Sequence, residues 1–136
     1  MHAQRHAWVR AAAACGAVLG LAGCSAPATQ EAPATFTQRA ALPSCGAVEL
    51  GQGESVDASA WDCLDAAALH DGAELVVTGP TTEGDPITTY YRVGPDIDGL
   101  ELFRDATADR FGAEGWSHQL CPGTATAATP LDCTEV

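Results

Sequence analysis

Between Gly72 and Cys121 the apolar residues change from a helical to an alternating period, and this change constrains the fold more than any other feature of the chain. Before it, Ala60, Trp61, Leu64, Ala67 and Ala68 recur at helical spacing and share one face. Asp57 or Ser59 suits the N-cap, Asp62 stands three residues after Ser59, and Gly72 is placed to end the helix. After it, AELVVTG (73–79), ITTYYRV (87–93), LELFRD (100–105) and WSHQLC (116–121) place alternate residues on opposite sides, as strands do. GAVEL (46–50) reads as a further short strand ahead of the helix. The links PTTEGDP and GPDIDG suit hairpins, and DATADRFGAEG suits a longer turn. The order β-α-β-β-β-β with short links predicts an α+β domain, one helix packed on a curved antiparallel sheet of about five strands.

Ninety-odd residues hold one modest core, and four cysteines fall within it: Cys45, Cys63, Cys121 and Cys133. In a small exported domain an even cysteine count implies disulfides, with three connectivities open. A zinc site using these cysteines with His70 or His118 is disfavoured, because no CxxC or HxxxH spacing is present. No cofactor motif is present either.

Export is implied by the other end of the chain. MHAQRHAWVR is basic, and AAAACGAVLGLAG (11–23) carries no charge. As a helix the latter rises about 20 Å, short of the roughly 30 Å hydrocarbon core, so residues 1–23 read as a removable signal. Leu21-Ala22-Gly23-Cys24 resembles the lipobox of bacterial lipoproteins. That resemblance implies cleavage before Cys24, diacylglyceryl attachment to its sulfur, and a palmitate-type anchor in the cell membrane on the extracytoplasmic face. Two acyl chains hold stably where one is marginal. Residues 24–43, rich in Ala, Pro, Thr and Gln, predict an extended tether, with the domain occupying 44–136 and Phe36 as a possible early docking residue.

All eighteen acidic residues follow Cys24, whereas only four of the six basic ones do, so the chain after the leader carries −14. Nucleic acid is excluded as a partner, since its binding depends on Lys and Arg neutralising phosphates. Anionic lipid and wall polymers are repelled, a basic partner or a divalent cation is attracted, and simple solubility is the competing and preferred reading of the same acidity.

The segments TTEGDPI (81–87) and DATADRFG (105–112) resemble those of small Gram-positive lipoproteins grouped as domain-of-unknown-function family 4362. The likeness spans about 46–121, with Cys121 in the place of the family's nearby cysteine, and departs from it at Ala108. It implies a fold but no activity.

The same segments hold the candidate site residues. Glu83, Asp85, Asp105 and Asp109 could converge as an acid–base pair or as oxygen ligands for calcium. Their competing role is turn chemistry, because Asp side chains bond nearby amides. Asp96-Ile97-Asp98-Gly99 lacks the distal glutamate of an EF-hand, and His118 has no sequence neighbour that would make it a base. The expected function is a noncatalytic binding module of the envelope, taking a protein, peptide or wall ligand. A carboxylate-based enzyme or calcium-binding module is the alternative.

Overall fold

The computed structural model describes residues 30–112 and 115–136. The leader and Cys24 lie outside the described residues. Elements run α1 (Ala34–Thr37), β1 (Ser44–Glu49), α2 (Ala58–Ala67), β2 (Ala73–Pro80), β3 (Pro86–Val93), β4 (Leu100–Asp105), β5 (Trp116–Cys121) and β6 (Thr134–Glu135). The six strands form one sheet in chain order. No helix among the described residues is long and apolar enough to cross a membrane.

The α+β class and the four longer central and C-terminal strands match the alternating runs. Two features of the expected sheet do not. It is mixed rather than antiparallel, because β1 pairs parallel to β2 while every later pair is antiparallel. The cause is α2. A helix between two neighbouring strands carries the chain back to the end where the first began, which a two-residue turn cannot do. The sheet also has six strands rather than about five. The additional β6 is two residues long and pairs with Gln119 and Leu120 of β5.

Local chemistry explains the start and end of α2. Asp57 is the N-cap in extended conformation, without a side-chain capping bond, and Ser59 and Asp62 fall inside the helix. At the other end the Gly72 amide reaches back 3.1 Å to the Ala67 carbonyl with φ of +74°. A Cβ at this position would meet the Val93 carbonyl oxygen at 2.5 Å, so glycine is required by both the turn and the closeness of β3.

Pleating sorts the side chains onto two faces. On one, Ala73, Leu75, Val77, Val93, Leu100 and Cys121 join Leu64 of α2 and Ala127 in the apolar core. Disulfides Cys45–Cys63 and Cys121–Cys133 tie β1 to α2, and β5 to the segment before β6. Their sequence separations of 18 and 12 place each near 3 kcal/mol in the loop-entropy model, about what a well-buried leucine contributes.

The opposite face carries a cover that the tether reading of 24–43 does not foresee. Residues 33–42 cross it as a strap. Phe36 packs against Tyr90, Phe103 and Trp116, with ring centroids 4.6, 5.4 and 4.4 Å away. The folded unit therefore begins ahead of Ser44. Three rings from three different strands give the strap enough apolar contact to offset its ordering entropy, which its own composition cannot do.

Candidate functional site

The two acidic segments do meet, but a carboxylate and a guanidinium join them. Asp85, buried, accepts from the Arg110 backbone amide at 3.1 Å and forms an ion pair with its Nη2 at 2.7 Å. The Arg110 hydrogen bonds hold the Asp85 carboxyl below the ordinary carboxylate range, and Asp85 raises the arginine in return. Asp105 accepts from the Thr107 amide and hydroxyl at 3.0 and 2.7 Å. Asp109, also buried, accepts from the amides of Phe111 and Gly112 at 3.1 and 2.8 Å. Glu83 is exposed at the turn. Asp85 thus spends both oxygens on Arg110, while Asp105 and Asp109 each spend Oδ1 on the loop that carries them. Among the described residues no group of three or more His, Cys, Asp or Glu is placed to hold a metal ion.

The larger concentration of charge lies under the strap. Arg39 grips Glu74 through Nε and Nη2, at 2.9 and 3.2 Å, while its Nη1 donates to the Phe36 carbonyl at 2.9 Å. Its guanidinium also lies 3.7 Å from the Phe36 ring centroid, so one arginine fixes both the strap's turn and its attachment to β2. Beyond Glu74 stands Arg92 of β3, 4 % exposed. Its Nη1 pairs with Glu101 and its Nη2 donates to the Ala40 carbonyl of the strap. Its Nε lies 3.0 Å from Glu74 Oε2, close enough for charge attraction, yet no hydrogen bond forms there in the described structure. Glu101 in turn meets His118 Nε2 at 2.9 Å, and the His118 ring stacks on Phe103 at 4.1 Å.

The result is a row of alternating charge, Arg39–Glu74–Arg92–Glu101, running from the strap across β2 to β4, with His118 of β5 hydrogen-bonded at its end. Two carboxylates balance two guanidiniums, so Arg92 is tolerated almost without water. Burial raises the Tyr90 hydroxyl's pKa, and the nearby Asp105 charge adds to that rise; burial raises Tyr91 as well.

Where the strap leaves the sheet a cleft of about 430 Å³ opens. That is within the size range of small-ligand sites. Arg39, Arg92, Glu101 and His118 contribute to its polar wall, Leu42, Pro95 and Ile97 to its apolar wall, and exposed Asp71 and Asp96 border it. A second groove of about 450 Å³ shares Gly94, Pro95 and Ile97 with the first and extends past Ala68 and Leu69. The Gly94–Ile97 stretch thus serves as a common wall.

Sequence reasoning missed this site. Its signal was present in part, since Arg92, Glu101 and His118 are ionisable residues at alternating positions of strands that the pattern already marks. Nothing in one dimension says that they share a face. The register does: Arg92 faces Glu101, and His118 faces Phe103, leaving Glu101 and His118 diagonal neighbours across β4 and β5. Comparison with protein-family models, with curated proteins and with solved structures yields no match to this chain, so the reading of the site rests on its geometry.

Proposed function

We propose that the chain is an extracytoplasmic binding module of the cell envelope, moored to the membrane by lipid at Cys24, with its ligand site in the cleft beside the strap. The observation that carries this reading is the state of the cleft's polar groups. Arg39, Arg92, Glu101 and His118 are engaged with one another or with Glu74, an arrangement that fixes the shape and polarity of a wall. A general base has a different requirement, a free acceptor within reach of substrate. Two disulfides in so small a domain favour an oxidising compartment.

The strap also revises the expected spacing from the membrane. The docked strap takes residues 33–42 out of the expected tether of 24–43, and a tether shortened in this way holds the module nearer the lipid surface. The proposed likeness to family 4362 draws on two segments that contact each other through Asp85 and Arg110.

Mass spectrometry of the N-terminal peptide from membrane-extracted protein tests the mooring. A diacylglyceryl thioether at Cys24, lost together with membrane association in Cys24→Ala, is expected; an unmodified thiol on a chain retaining its leader would overturn it.

A further inference from the structure

Resting on the binding-module reading, we propose that the paired grooves flanking the Gly94–Gly99 loop dock a basic, apolar peptide segment of a partner protein. Leu69 lies 89 % exposed along the second groove, the most open of the large apolar side chains among the described residues. Half-buried Ile97 contributes to both grooves, and Leu42 extends the apolar surface into the first. An apolar stripe of this kind, left to water, marks an interaction surface.

Charge selects the occupant. Asp71, Asp96 and Asp98 stand exposed around the same loop and form no ion pair among the described residues. They belong to a chain whose part after the leader carries four arginines against eighteen carboxylates. A second copy is a poor complement, since Arg39, Arg92 and Arg110 are already paired with carboxylates and Arg104 alone stands against a net charge of −14. Anionic lipid is repelled by the same field. A segment alternating Lys or Arg with apolar residues satisfies both features, because its cationic heads reach the aspartates while its aliphatic stems lie along Leu69 and Ile97.

The test uses the full chain purified from membranes in uncharged detergent, with fluorescence anisotropy of a labelled peptide alternating lysine and leucine. Saturable binding is expected, with affinity falling as salt rises. Leu69→Ser with Ile97→Ser should weaken it about tenfold, in line with the loss of apolar burial. Asp71→Asn with Asp96→Asn should weaken it about fivefold, consistent with exposed charge pairs. A control of equal charge change at the opposite end of the sheet, Glu49→Gln with Glu83→Gln, should move it less than about twofold. Equal loss in the control and the groove variants would overturn the proposal, as diffuse attraction explains that result. So would tight binding of a glutamate–leucine peptide, or no saturable binding at all. The N-terminal mass of the same preparation separates the two readings: a lipidated chain without groove-dependent binding sinks this inference alone, and groove-dependent binding by an unlipidated chain sinks the anchor alone.

Discussion

The two faces of the sheet are covered in different ways. Leu64 of α2 meets Leu75, Leu100 and Val93 of the sheet, side chains of one chemistry, with disulfides at the margin. Beneath the strap lie aromatic rings and a row of charges, with Arg92 at its centre. Apolar burial is non-directional and tolerates exchange among residues of similar volume. A buried charge row is directional, since each member leaves another unbalanced if removed. The first face therefore supplies stability and the second supplies shape, and the cleft opens on the second.

Substitutions can break or sharpen that contrast. The largest effect is expected at Leu64→Ala, which leaves a cavity under α2 and should cost about 3–4 kcal/mol in denaturant unfolding. Leu64→Met should cost under about 1.5 kcal/mol, as a volume-conserving change. Arg92→Ala comes next, at about 3 kcal/mol, because Glu74 and Glu101 lose their shared cation. Arg92→Lys should recover little of it, because one ammonium cannot replace a fork that meets Glu101 and the Ala40 carbonyl together. If Arg92→Lys behaved like wild type, the directional account of this face would fail. Phe36→Ala should cost about 2 kcal/mol and, unlike Leu64→Ala, should expose residues 33–42 to protease while β2 to β5 stay protected.

The smallest effect concerns Asp85 and depends on pH. Its carboxyl titrates lower when folded than when unfolded, so the charged form favours the native state. That contribution is present above the ordinary carboxylate pKa and is lost as pH falls through the lower folded value. The melting difference between wild type and Asp85→Asn should accordingly be present at pH 7 and vanish in acid. A difference that persisted unchanged at low pH would assign it to packing rather than to the Arg110 pair.

Much of the helix-covered face was legible in the sequence. The spacing of Trp61, Leu64 and Ala68, and the alternation in AELVVTG and ITTYYRV, express burial against a single partner layer. β1 was legible as a strand but not as a parallel neighbour, because direction belongs to the connection and not to the residues. The strap was legible only at Phe36, for another reason. Residues 33–42 have the composition of a linker, and their docking depends on a ring cluster assembled from β3, β4 and β5. The acidic segments offered the converse lesson. Glu83, Asp85, Asp105 and Asp109 looked like a site because their charges were dense, whereas Arg110 engages both oxygens of Asp85 and turn amides engage one oxygen each of Asp105 and Asp109. The charge row became visible only once Glu101 and His118 were known to be diagonal neighbours.

The strap is at once the wall of the cleft and the path by which the chain enters the fold. A mechanical load applied at the N-terminal side must pass through Phe36 and Arg39 before it reaches any strand. Pulling the protein from residue 24 in an optical trap should accordingly show a short, low-force yield before the main rupture, and the first step alone should empty the pocket. A single rupture with no earlier step would mean that strap and sheet give way as one.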